Sequence, residues 1–352
     1  VAEKILITND LEKLEDYLHH DGSSYTKIVI LVDENTSSDC WPNLAGLCPS
    51  LENAELMEIP AGESSKSIEI AEQLWNSLQE LKADRSSLLI NLGGGVVCDL
   101  GGFIASTYMR GIDFIHLPTS LLAQVDASIG GKNGIDLGDF KNLIGTITPP
   151  KLCLIHPSFL ETLDQRQINN GFAEMIKHSL LEGGKHLELL KSIDIPSAEN
   201  LQELIEYSIQ FKKGVVELDR LEQNQRKMLN FGHSIGHAVE SLALSNAFDL
   251  LHGEAIALGM AVEAEIGKLK GIGNEKFNSE VLELIQRHFE LSIPSFMTAQ
   301  NLIPFLQSDK KNKAGEFLFV LLEAAGKPII DVVVQENEIH EAWHQVTVKI
   351  NG

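Results

Sequence analysis

Over the first 150 residues, short β-branched runs alternate with a stretch of helical period. Lys27–Asp33 (KIVILVD), Ser86–Leu92 (SSLLINL) and Asp113–Leu117 (DFIHL) read as strands, being short apolar runs bounded by polar residues. Between the first two, Ile68, Ala71, Leu74, Trp75, Leu78 and Leu81 recur at helical spacing. Strands joined through helices rather than two-residue turns predict a mostly parallel sheet covered on both faces. Pro149-Pro150 interrupts the pattern, and a short strand at Lys151–His156 ends at Pro157. From about Phe159 the period is helical over Gly171–Glu182, Ala198–Val216, Gln225–Ser245, Gly253–Leu269 and Ser279–Glu290, with strand expected only at Phe317–Leu322 and Ile329–Val334. The pattern predicts an α/β N-terminal domain with a mostly parallel sheet over 1–155 and a mainly α-helical C-terminal domain over 156–352.

The 352 residues carry 28 Lys plus Arg against 50 Asp plus Glu, a formal net charge of −22. That balance excludes a nucleic-acid partner, since a phosphate backbone is bound mainly by surplus cations. It also discourages an anionic small molecule unless basic groups cluster locally. Cys40, Cys48, Cys98 and Cys153 form no C-x-x-C pair, so neither a cysteine zinc site nor a disulfide framework is expected. The charged stretch Val1–Tyr17 has no apolar signal-peptide core, and the apolar stretch at 255–267 is interrupted by Glu263 and Glu265. The expectation is a cytoplasmic protein with reduced thiols and no membrane partner.

Three segments carry candidate chemistry. The first is Gly93-Gly94-Gly95-Val96-Val97-Cys98-Asp99-Leu100-Gly101-Gly102, a glycine turn directly after a strand. Backbone there can approach a diphosphate, and the following helix N-terminus favours its charge, giving a Rossmann-like reading. The spacing is not G-x-G-x-x-G, and a merely structural tight turn is the competing reading. The second segment, 110–142, places Thr119 and Ser120 at a strand's C-terminal end, Asp126 in an apolar helical run and Lys132 on a Gly-Gly turn. Arg110, Lys132 and Lys141 are cations spaced among glycines, as an anionic substrate would require. The third is R-K-M-L-N-F-G-H-S-I-G-H-A-V-E, where Arg226, Asn230, His233, His237 and Glu240 would form one stripe on a single helix. Gly232 and Gly236 inside it imply a very close neighbour. His233 and His237 could share a metal, with Glu174 and Lys177 of GFAEMIK and His252 of LHGE as further candidates. Spacing leaves open which two of the three histidines are ligands.

Taken together, GESSKS (62–67), GGGVVCDLGGF (93–103), YMRG (108–111), PTSLLAQVDASIGGKNGID (118–136), KNLIG (141–145), GFAEMIKH (171–178), RKMLNFGHSIGHAVES (226–241) and LHGEAIALGM (251–260) closely resemble the 3-dehydroquinate synthase family, which belongs to the sugar-phosphate cyclases. The resemblance is collinear over nearly the whole chain. It implies an NAD-binding first domain and a second that binds metal and substrate, with Zn2+ or Co2+ held by Glu174, His233 and His252. It implies NAD against Gly94, Gly95 and Asp99, with Glu63, Lys66, Thr119, Ser120, Lys132, Lys141 and Thr162 lining the cofactor cleft. The anionic sugar phosphate would be met by Asp126, Lys132, Asn142, Lys177, Lys213, Arg226, Asn230 and a lysine of Lys310-Lys311, with His237 handling protons. Arg110 would reach a neighbouring subunit's site, implying a homodimer.

The reaction implied starts from 3-deoxy-D-arabino-heptulosonate 7-phosphate. It proceeds by transient NAD oxidation, phosphate elimination, reduction, ring opening and aldol closure to 3-dehydroquinate, in the shikimate pathway of aromatic amino acid biosynthesis. Cys98, Ser120, Asn133, Phe140 and Arg220 depart from the commoner family residues without removing a ligand or an anchoring cation. The rivals are another sugar-phosphate cyclase, or an NAD- and metal-dependent polyol dehydrogenase, which would give no job to Lys132, Lys141 and Arg226. The net charge hides a local excess of cations. Lys66, Arg110, Lys132, Lys141, Lys177, Lys213 and Arg226 fall in these motifs, while much of the acidic surplus lies in 11–17 and 182–223.

Overall fold

The computed structural model describes residues 4–20, 25–138, 140–307 and 316–351. Two compact units emerge, one of Val1–Ile168 with Ser197–Gln202, the other of Asn169–Pro196 with Glu203–Gly352. The division falls beyond the expected 155 because Phe159 is buried in the first unit's core.

The first unit runs β1 (Ile5–Ile7), α1 (Glu12–His20), β2 (Ile28–Asp33), α2 (Glu34–Asp39), α3 (Trp41–Leu47), β3 (Glu55–Ile59), α4 (Ile68–Glu80), β4 (Leu88–Gly93), α5 (Gly95–Thr107), β5 (Asp113–Pro118), β6 (Lys132–Leu137), β7 (Phe140–Ile147) and β8 (Leu152–Ile155). Six strands form one sheet in the order β1-β8-β5-β4-β2-β3, every pair parallel. Alternation along β2 explains the two covered faces. Ile30 and Val32 join a cluster with Leu14 and Leu18 of α1 and Leu44 of α3, whereas Val29 and Leu31 join Leu74 and Leu78 of α4 and Leu100 and Ile104 of α5. From β2 the chain moves outward to β3, then returns to lay β4, β5 and β8 on the other side. The topological switch therefore lies between β2 and β4, beside the glycine turn.

The second unit is built on α6 (Gln165–Glu182), α7 (Gly184–Lys191), α8 (Gln202–Leu218), α9 (His233–Ser245), α10 (His252–Leu269), α11 (Glu275–His288) and α12 (Ala299–Gln307). An antiparallel hairpin, β9 (Phe317–Leu322) with β10 (Pro328–Val334), precedes α13 (Glu336–Asn351). Buried almost all round, α10 is lined with Gly253, Ala255, Ala257, Gly259 and Ala261, so neighbouring helices approach its backbone. Among the described residues no helix is long and apolar enough to cross a membrane.

Three local expectations need correction. The single helix expected over Gln225–Ser245 is broken: Gln225–Asn230 is a 3-10 turn, and Gly232 adopts left-handed φ +79 before α9 starts at His233. A Cβ at Gly232 would lie 3.1 Å from the Ile256 carbonyl, so close packing on α10 enforces the break that periodicity could not register. Lys132 is not on a flexible turn but opens β6, which pairs antiparallel with β7, the left-handed Gly130 and Gly131 leading into it. Asp126 sits on a π-helical turn, Ala123–Ala127, rather than a regular helix.

Candidate active site

In the first unit the glycines sort by what surrounds them. A Cβ on Gly93 would strike Val97, and those on Gly101 and Gly102 would enter the side-chain amides of Asn91 and Asn133, so these three serve packing. Gly94 and Gly95 differ: a Cβ would meet only the Ser120 hydroxyl at 3.3 Å and the Ala127 methyl at 3.4 Å. The N-cap of α5 is Gly94, which offers no side chain to the leading amides of the helix, and such an N-terminus is able to receive an anion. The Thr119 amide donates to the Gly93 carbonyl (3.0 Å), which sets Thr119 and Ser120 beside that turn.

One helical turn into α5, Asp99 accepts from the Lys66 ammonium at 2.9 Å. Lys66 is only 4% exposed, donates also to Asn142 Oδ1 (2.5 Å), and lies 3.5 Å from Glu63. Burial alone would lower the Lys66 pKa, but the carboxylates of Asp99 and Glu63 outweigh it and hold the ammonium charged. Lys141 reaches the same Glu63 at 3.5 Å. Asn142 takes left-handed φ of 50, its amide donating to Asp136 (2.6 Å), while the Asp136 amide donates to the Lys66 carbonyl (2.8 Å). The β6–β7 ribbon is thereby tied to the GESSKS turn, bringing Glu63, Lys66, Asp99, Lys141 and Asn142 into one polar cluster. Lys132 is exposed, Asp126 half-buried, and Thr162 lies exposed at the end of a 3-10 turn. Arg110 is exposed in a loop where Met109, Arg110 and Gly111 all have positive φ.

In the second unit Glu174 is fully buried on α6. Its Oε2 ion-pairs with Lys177, one turn along and 2% exposed. Its Oε1 has no hydrogen-bond partner and faces His233 Nε2 at 3.4 Å and His252 Nε2 at 3.6 Å. Each imidazole is oriented from its other nitrogen. His233 Nδ1 lies 3.2 Å from the Phe231 carbonyl, and His252 Nδ1 lies 3.5 Å from Glu240 Oε2. Both partners are acceptors, so each Nδ1 is placed to donate, and each Nε2 is turned toward Glu174. With both rings neutral, these are three acceptor atoms converging on one point, an arrangement that calls for a cation among them. A proton on His252 answers the same demand: burial alone would lower its pKa, yet Glu240 and Glu174 raise it to about 10, favouring the imidazolium. The group fits a divalent ion bound by two imidazoles and a carboxylate.

His237 stands one turn along α9, exposed, its ring 5.1 Å from His233 and 6.2 Å from His252. It belongs to a second group, with Glu240 and His252, rather than to the one converging on Glu174. Arg226 and Asn230 do not continue the α9 stripe; they lie on the 3-10 turn before it. Arg226 is 3% exposed and donates to the Arg220 carbonyl (2.9 Å), and Asn230 donates to Glu222 (2.7 Å). Sequence reasoning missed Asp219, whose carboxylate accepts backbone amides of Gln223 (3.0 Å), Asn224 (2.7 Å) and Arg226 (3.1 Å) and so shapes this loop. The expectation on α8 fell on Lys213, and the structure separates the two adjacent lysines by burial. Lys213 is 43% exposed and lies 3.9 Å from Glu217 on the outer face of α8, whereas the preceding Lys212 is 5% exposed. Their order on the helical period was the available signal. Lys310 and Lys311 lie outside the described residues.

The 3-dehydroquinate synthase N-terminal family matches residues 56–170, and the C-terminal family matches residues 171–312. A 3-dehydroquinate synthase of Parabacteroides distasonis is 38% identical over 344 residues, covering 97% of this chain and 96% of the relative. Among solved structures, a 2-deoxy-scyllo-inosose synthase complexed with carbaglucose-6-phosphate, NAD+ and Co2+ superimposes with TM-score 0.87 at 25% identity, over 97% of this chain and 96% of that one. A 2-epi-5-epi-valiolone synthase from Streptomyces hygroscopicus with NAD+ and Zn2+ bound gives TM-score 0.89 at 26% identity, over 99% and 98%. These cyclases share the fold at lower identity, while both family matches and the full-length relative agree on one assignment: the chain belongs to the 3-dehydroquinate synthase family.

Proposed function

We propose that this chain converts 3-deoxy-D-arabino-heptulosonate 7-phosphate to 3-dehydroquinate and phosphate, with NAD on the first unit and Zn2+ or Co2+ on the second. The observation that carries the reading is the buried Glu174 Oε1 facing the Nε2 atoms of His233 and His252. Glu174, His233 and His252 would hold the ion, and Gly94, Gly95, Thr119, Ser120 and the Lys66–Asp99 cluster would hold the dinucleotide. Lys132, Lys141 and Thr162 line the same cofactor region in this reading. When bound, the ion supplies Lewis acidity at a substrate hydroxyl, and NAD supplies a reversible acceptor of two electrons.

The chain's own residues position the substrate and move protons. Lys177 and Arg226, both buried cations, fix the anionic groups, since a charge held away from water interacts more strongly with its partner. Asp126, Asn142 and Asn230 offer hydrogen-bonding groups for hydroxyls, and orientation supplies much of the rate. His237, exposed beside the ligand histidines, is suited to take and return a proton at its ring nitrogen. Arg110, exposed on its loop, would serve the neighbouring subunit of a homodimer. Cys40, Cys48, Cys98 and Cys153 are buried and joined by no disulfide, in keeping with a reducing cytoplasm.

In place of the expected Lys213, we assign the substrate-facing role on α8 to Lys212. Lys212→Ala is expected to lower kcat/KM by about 10–100-fold, the worth of a lost charge-assisted hydrogen bond. Lys213→Ala is expected to stay within about twofold of the parent, as an exposed ion pair contributes little. Steady-state kinetics on the two variants decides between them.

Incubating the protein with the heptulosonate phosphate, NAD and Co2+ should release phosphate and dehydroquinate with no net NADH. Turnover only of a different sugar phosphate, or NADH accumulating with a polyol, would replace this reading by one of its rivals.

A further inference from the structure

Both candidate histidine ligands are the first residue of a helix, and neither helix is capped by a side chain of the residue preceding it. At α10 its own Glu254 accepts the Leu251 amide at 2.8 Å, and the amides next to both histidines are capped from other helices. Glu263 of α10, fully buried, accepts the Gly232 amide at 2.6 Å through Oε2 and the Ile235 amide at 3.2 Å through Oε1. Those amides flank His233. Asn170 of α6, 8% exposed, accepts the Gly253 amide at 2.6 Å, next to His252. Asn170 lies four residues before Glu174, on the same face of α6. The helix carrying Glu174 thus caps the helix carrying His252, and that helix in turn caps the one carrying His233.

We propose that Asn170 and Glu263 are positioning residues that set the geometry of the three metal ligands through this relay of cross-helix caps. The proposal rests on the assignment of Glu174, His233 and His252 as ligands. A buried carboxylate is costly unless hydrogen-bonded, and at the entrance of α9 it meets two amide donors and the positive end of the helix dipole. Gly232 takes φ +79, a conformation that turns its amide toward Glu263 and starts α9 with His233 aimed at Glu174. A ligand held this way is placed before any ion arrives, and loss of such support weakens metal binding without removing a ligand.

The test is titration of metal-free protein with Co2+, read by its visible absorption, alongside urea unfolding of the same samples. Glu263→Ala and Asn170→Ala are each expected to weaken Co2+ binding by about 10–100-fold. Glu263→Gln, which keeps one acceptor oxygen, should recover part of the loss and stands in if the alanine variant does not fold. Val281→Ala, a cavity in the buried face of α11, should lose stability yet keep the parent affinity. The proposal is overturned if the relay variants bind Co2+ like the parent, or if Val281→Ala weakens binding as much at equal loss of stability. A parent protein that binds no Co2+ would instead overturn the ligand assignment itself.

Discussion

His252→Ala is expected to lose its bound metal and about 10³-fold in kcat while keeping its fold. The side chain is 26% exposed, so its removal opens little of the core. What it removes is one of two nitrogens facing Glu174 Oε1, and the Lewis acidity that an ion supplies is worth several kcal/mol in the transition state. Glu174→Ala should behave differently. Lys177 is 2% exposed and ion-pairs with that carboxylate, so deleting it strands a buried ammonium at a cost of about 3–5 kcal/mol. Metal content, phosphate release and thermal unfolding on both variants separate a lost ligand from a lost fold. Full metal occupancy and full activity in His252→Ala would transfer the ligand role to His237.

Two glycines of α10 should respond in opposite directions to alanine. At Gly259 a Cβ would run into the Gly232 carbonyl and come within 2.8 Å of the Gly236 amide nitrogen. Both obstacles are backbone and cannot swing aside, so Gly259→Ala must push α9 from α10, costing about 3 kcal/mol or more. The same displacement moves His233 and should lower metal content. At Gly267 the nearest atoms are the Leu322 carbonyl oxygen at 3.8 Å and the Gly273 nitrogen at 3.9 Å, ordinary contact distances. There the change only removes glycine's entropic disadvantage, and Gly267→Ala should gain about 0.5–1 kcal/mol. Urea midpoints at unchanged slope measure both, and equal effects at the two positions would refute the packing argument.

Much of the fold and part of the site were legible without coordinates. Strands β2, β4 and β5 are apolar runs because a parallel sheet is buried on both faces, so local composition alone betrays them. The glycine turn, the cations dispersed through an acidic chain, and the motifs shared with a known family are likewise properties of short segments. A net charge of −22 described the surface and concealed Lys66, Lys177 and Arg226, each no more than 4% exposed. Periodicity failed where the deciding contact came from elsewhere. It ran one helix through Gly232, because the sign of a glycine's φ is set by α10 packed against it. It left open which two of His233, His237 and His252 share a site, because Glu174 Oε1 and the Nε2 atoms of His233 and His252 come from three separate helices. Short-range pattern thus determined the elements and the chemical groups available to this chain. Tertiary structure alone decided which groups converge, because convergence depends on close approach of helix backbones that no single segment encodes.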